Sequence, residues 1–225
     1  KAMINFPKFK NLKLLDQAFT HRSYLNETKE KIPSNERLEF LGDSILSFVV
    51  SDYLFKMYPD FDEGTLTNLR SLLVNTKNLS KVAEELSFGT KLKLSKGEEE
   101  SKGRSNPSLL ADSLEAFIGA LYLDQDFKEV SNFIKEVLLS KVQDLVQKKT
   151  YKDPKSLLQE EVQAKKQNSP IYKVIKEIGP AHKKLFTVGV FVGDKMLGIG
   201  TGKSKQEASE IAAKQSLATF SSKRS

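Results

Sequence analysis

Two groups of carboxylates in this chain have the spacing of a cation site. In NERLEFLGDSIL, residues 35–46, winding at about 100° per residue gathers Glu36, Glu39 and Asp43 within roughly 60° of one another. Leu38, Leu41 and Ile45 fall on the opposite side. In SLLADSLEAFIGALYLD, residues 108–124, Asp112 and Glu115 stand three apart on a stretch otherwise made of apolar and small residues. An acidic helix face is ordinarily just solvated surface. A helix apolar nearly all round is ordinarily buried, and acids carried inside are costly unless something cationic neutralises them. Arginine or lysine could serve, and so could a metal ion. The chain has no cysteine and two histidines, so an all-oxygen site of Glu39, Asp43, Asp112 and Glu115 suits Mg²⁺, or Mn²⁺ as its substitute, rather than zinc or copper. Mg²⁺ held by a few carboxylates takes phosphate oxygens as further ligands, an arrangement suited to phosphodiester hydrolysis.

The elements that must position these acids are legible from periodicity. Residues 12–19, 38–55, 66–73, 79–86, 109–123 and 127–146 space apolar residues at three and four, which predicts an all-α N-terminal part. Breaks are expected at Lys31 to Ser34, at Tyr58-Pro59-Asp60 and from Ser101 to Pro107. Asn35 or Ser34 is the expected N-cap of the first acidic helix, and Asn106-Pro107 the expected start of the second. Residues 148–153, polar and charged, read as a linker between residues 1–147 and 154–225. Beyond it the period changes. A short helix opened by Pro154 precedes three β-rich runs, IYKVIKEIG, KLFTVGVFVGD and KMLGIGTG, the last two joined as a hairpin at Gly193-Asp194. A helix from Ser204 to about Phe220 completes a small α+β unit of order α-β-β-β-α.

Charge divides the chain the same way. Residues 1–150 hold 22 Lys and Arg against 22 Asp and Glu, while residues 151–225 hold 14 against 7, so the last third carries the whole net charge of +7. Such asymmetry points to a polyanionic partner for the C-terminal unit. The longest apolar runs fall short of the ~18 residues that span a bilayer, and the start shows no signal-peptide pattern. A cytoplasmic protein without a membrane partner is the expectation. Single residues are more ambiguous. His21, in AFTHRSY, reads as a packing or capping residue. Glu63 is a helix cap or an assistant near the metals. Lys102 and Arg104 either touch phosphate or belong to a solvated loop.

NERLEFLGDSIL resembles the signature of the ribonuclease III family, and ADSLEAFIGALYLD its second acidic motif, with AFTHRSY, DEGTLTNLR and GEEESKGRSNPSLLAD in matching order around them. From Pro154 onward the chain is similar to a double-stranded-RNA-binding domain. The resemblance, which spans about Leu14 to Phe220, implies a homodimeric, Mg²⁺-dependent endonuclease. It would cut double-stranded RNA to 5′-phosphate and 3′-hydroxyl ends with short 3′ overhangs, in the processing of ribosomal, messenger and other structured RNA precursors. It implies Glu39, Asp112 and Glu115 as metal ligands and Asp43 as the remaining essential acid, bound directly or through water. Glu36 and Glu63 would support the cluster, and Phe40 would pack across the dimer interface. In the second domain it assigns Gln159 and Glu160 to one minor groove and Pro180 and His182 to the next. Lys203, Ser204 and Lys205 would form the phosphate clamp at a helix start. One departure stands out: the usual paired lysines are here Lys205-Gln206.

Two other classes fit the residues less fully. A duplex-RNA-binding protein without chemistry would leave RNA intact in Mg²⁺. A hydrolase of small phosphates with an RNA-binding appendage would turn over nucleotides and spare duplex RNA.

Overall fold

The computed structural model describes residues 6–147, 151–180 and 183–221. The chain divides into two compact units, residues 1–151 and 152–225.

The first unit is helical: α1 (Leu12–Ala18), α2 (Glu36–Met57), α3 (Glu63–Val74), α4 (Thr76–Glu85), α5 (Lys96–Glu100), α6 (Pro107–Asp124), α7 (Phe127–Val137) and α8 (Val142–Gln147). Its centre is α6, whose Leu110, Leu114, Phe117, Ile118 and Leu121 are all buried. Phe117 stacks at 5.1–5.2 Å between ring centres on Phe6, Phe9, Phe88 and Phe133, so one ring ties α6 to the N-terminal segment and to α7. Pro107 opens α6, and the Asn106 side chain accepts from the Ser108 N–H. Asn35 occupies the cap position of α2 without a side-chain cap. It is buried, its amide directed at the Ala18 carbonyl and its backbone N–H donating to the Thr20 carbonyl at 2.8 Å, which ties the start of α2 to the end of α1.

The stretch predicted as one helix from 127 to 146 is two. It breaks at Leu138 (φ −115°), passes through a turn of 3₁₀ helix at Leu139–Lys141 and resumes as α8. Leu138, Leu139 and Val142 are all buried. At i, i+1 and i+4 these residues would also share one face of a straight helix, so the apolar spacing does not distinguish the broken helix from a continuous one. Tyr151, in the segment read as linker, is also buried, its ring 5.7 Å from that of Phe61.

The second unit contains α9 (Pro154–Ala164), the antiparallel sheet β1 (Ile171–Ile178), β2 (Leu185–Val192) and β3 (Lys195–Gly202) in that order, and α10 (Lys205–Ser221). Tyr172 pairs with Val190, and Val188 with Gly200. Gly193, at φ +58°, makes the two-residue turn between β2 and β3. Leu158, Val162, Val190, Ala212 and Ala213 form a small core of their own. The Asp153 side chain caps α9, accepting from the N–H groups of Lys155 and Ser156.

Candidate metal centre and nucleic-acid interface

The acids of α2 and α6 meet because the two helix backbones do. A Cβ on Gly42 would lie 1.7 Å from the Glu115 carbonyl oxygen, and one on Gly119 would lie 2.2 Å from that of Leu38. No side chain larger than hydrogen fits at either crossing. A glycine inside a helix costs stability, and here the cost is met by close approach. Neither glycine carries a group that could do chemistry, although an isolated glycine in a strongly helical stretch is itself a signal of tight packing.

This crossing brings oxygen atoms of Glu39, Asp112 and Glu115 within 4.8 Å of one another. All three side chains are half-buried, and among the described residues none forms an ion pair with lysine or arginine. The electrostatics follow from that crowding. Burial, followed by the charges of Asp43, Asp112 and Glu39, pushes the Glu115 carboxyl up to about 8. Burial also raises Glu39, helped by Asp112, Glu36 and Asp43. It raises Asp112 too, against the lowering field of His21. Three carboxyls that resist ionisation together, none of them paired to a lysine or arginine among the described residues, fit a hard divalent ion in donor type and geometry.

The other acids lie differently. Asp43 is exposed and outside the group of three, although its charge acts on both Glu39 and Glu115. Glu36 is exposed, paired with Arg22 at 3.2 Å and accepting from the Ser34 hydroxyl at 2.9 Å. Glu63 accepts from the Thr67 hydroxyl and lines a groove of about 720 Å³ with Phe48, Phe55, Phe61 and Arg70; none of the three clustered acids lines it. His21 caps a 3₁₀ turn, its Nδ1 2.8 Å from the Ser23 hydroxyl. Arg104 braces the loop before α6 from within, donating to the carbonyls of Gly89 and Leu92 and pairing with Glu99. Phe40 is 78% exposed, and Phe48 and Phe55 on the same helix are also exposed.

Comparison with known proteins agrees across both units. A family model described as Ribonuclease-III-like matches residues 11–142, and one for the double-stranded RNA binding motif matches residues 154–219. Ribonuclease 3 of Borreliella burgdorferi is 44% identical over 209 residues, covering 93% of this chain and 85% of that protein. Ribonuclease 3 of Bacillus velezensis is 49% identical over 211 residues, covering 93% and 84%. The chain belongs to the ribonuclease III family. Among solved structures, the nuclease domain of ribonuclease III from Campylobacter jejuni is similar with a TM-score of 0.53 at 40% identity, over 58% of this chain and 90% of that one. As a family member with both domains, the protein is an endoribonuclease acting on double-stranded RNA. Among the described residues no helix is long and apolar enough to cross a membrane.

In the second unit, Gln159 and Glu160 are exposed on α9, with Glu160 paired to Lys152 at 2.7 Å. Pro180 is exposed after β1, and His182 lies outside the described residues. Lys203, Ser204 and Lys205 are exposed at the start of α10. The Ser204 hydroxyl accepts from the Glu207 N–H, and the Glu207 carboxylate accepts from the Lys203 N–H, which fixes this helix end. Gln206 donates to Glu210.

Proposed function

We propose that this member of the family cleaves duplex RNA with Mg²⁺, or Mn²⁺ in its place, held by Glu39, Asp112 and Glu115. The products are 5′-phosphate and 3′-hydroxyl ends with short 3′ overhangs, and the substrates are ribosomal, messenger and other structured precursors. The observation that carries the metal assignment is the convergence of three carboxylates within 4.8 Å without a lysine or arginine partner among the described residues. When bound, such an ion supplies an activated water and neutralises charge that develops on phosphate oxygens. Asp43 adds negative charge from the solvent side, strengthening cation affinity through Glu39 and Glu115. Glu36, held by Arg22 and Ser34, supports the same face. Gln159, Glu160, Pro180 and His182 contact the minor grooves, and Lys203, Ser204 and Lys205 grip phosphate, so RNA is read by shape.

We further propose a homodimer. The exposed Phe40, Phe48 and Phe55 on one helix, beside the apolar groove that contains Phe61 and Arg70, form a patch larger than single scattered residues account for. The solved Campylobacter domain is described as having a flexible region involved in dimer formation.

Incubation of long duplex RNA with and without Mg²⁺ tests the reading. Cleavage is expected only with the ion. Glu115→Gln keeps the side chain's size and removes a ligand, so cleavage should fall by more than about 100-fold, beyond what loss of an outer partner costs. Duplex binding should stay near the parent value. Parent-like cleavage by this variant would remove Glu115 from the site.

A further inference from the structure

Two lysines from different elements of the RNA-binding unit share one carboxylate. The Lys184 ammonium, just before β2, lies 2.7 Å from Oε2 of Glu177 on β1. The Lys205 ammonium, at the first residue of α10, lies 3.5 Å from Oε1 of the same side chain. Both ammoniums also lie over the ring of Phe186, at 5.7 and 5.6 Å from its centre. Hydrogen bonding to Lys184, with the charges of both lysines, holds the Glu177 carboxyl below its ordinary range, so it is ionised at neutral pH. The α10 start is short of cations. Gln206 is committed to Glu210, and of the lysines gathered there Lys203 alone has no carboxylate partner among the described residues.

We propose that Glu177 is a built-in counter-ion that occupies the place of an RNA phosphate and lowers the affinity of the domain for duplex RNA. This rests on the reading of Lys203 to Lys205 as a phosphate clamp. In the free protein one carboxylate offsets half the charge of the Lys184–Lys205 pair. An approaching phosphate must displace it from the ammoniums or bind beside a like charge. Exposed ion pairs are weak enough to be exchanged in this way. The consequence is a grip loose enough to release a cut duplex. The counterion-release response to salt is also shallower than the number of lysines suggests.

The test uses the full chain in EDTA, so that RNA stays uncut, with a duplex long enough to span the domain and a salt titration. Glu177→Gln should tighten binding about fivefold at low salt, the equivalent of one exposed ion pair. It should also steepen the slope of log affinity against log salt by about 0.9, one added net positive charge. Glu177→Ala should act in the same direction. Lys205→Gln should weaken binding, and added to Glu177→Gln it should shrink that variant's gain, because the two side chains interact. Unchanged or weaker binding by Glu177→Gln, with Lys205→Gln still weak, overturns the counter-ion role and leaves the clamp. No effect from Lys205→Gln overturns the clamp, and the counter-ion with it.

Discussion

Glu115 shows what a single residue gives up to build this centre. Its carboxyl titrates near 8 instead of 4.5, chiefly because it is buried and secondarily because Asp43, Asp112 and Glu39 surround it. The folded chain therefore holds this proton more tightly than the unfolded one. Without metal, the stability linked to it is full below pH 4.5 and is lost as pH rises through about 8. Glu39 and Asp112, raised for the same leading reason, act in the same direction. Thermal unfolding in EDTA should show a melting temperature that declines across this window, and Glu115→Gln should flatten the decline. A parent-like slope in the variant would mean that Glu115 is not the group responsible. Divalent metal favours the ionised form, so metal affinity should rise with pH over the same range.

At the scale of elements, the decisive feature is the crossing of α2 and α6. Helix geometry sets the direction of each acid around its own axis, but the separation of the axes rests on Gly42 and Gly119. Gly42→Ala would drive a methyl group to 1.7 Å from the Glu115 carbonyl, and backbone has no rotamer by which to yield. The variant should lose at least ~2 kcal/mol in chemical denaturation, an overpacking cost, and should lose cleavage with it as Glu39 moves away from Asp112 and Glu115. Gly97→Ala, in α5 with nothing within 4 Å of the new methyl, is the matched control and should be neutral or slightly stabilising. Equal behaviour of the two variants would contradict the close-approach account.

At the scale of the whole molecule, two units with separate cores carry separate tasks. The first holds the acids in a segment of balanced charge, and the second carries the net positive charge. A chain ending after Tyr151 keeps that residue against Phe61 and should remain folded, with a cooperative thermal transition. Its affinity for duplex RNA should be lower and should vary less steeply with salt, since fewer phosphates are neutralised. A truncated form that binds like the parent, with the same salt slope, would take RNA recognition away from the second unit.

The sequence by itself determined the helical and α-β-β-β-α character of the two parts, the side of each helix on which Glu39, Asp43, Asp112 and Glu115 stand, and the unequal division of charge. These are local properties: the angle between residues a few positions apart is fixed by backbone winding, and charge is a matter of counting. Only the tertiary structure decided that Glu39 meets Asp112 and Glu115 while Asp43 stays at the solvent side, that the helix after Phe127 breaks at Leu138, and that Lys205 answers to Glu177. Each joins groups through packing that a periodic pattern does not encode. The contact between Gly42 and the Glu115 backbone spans more than seventy positions of chain, and hydrogen in place of a methyl group sets it.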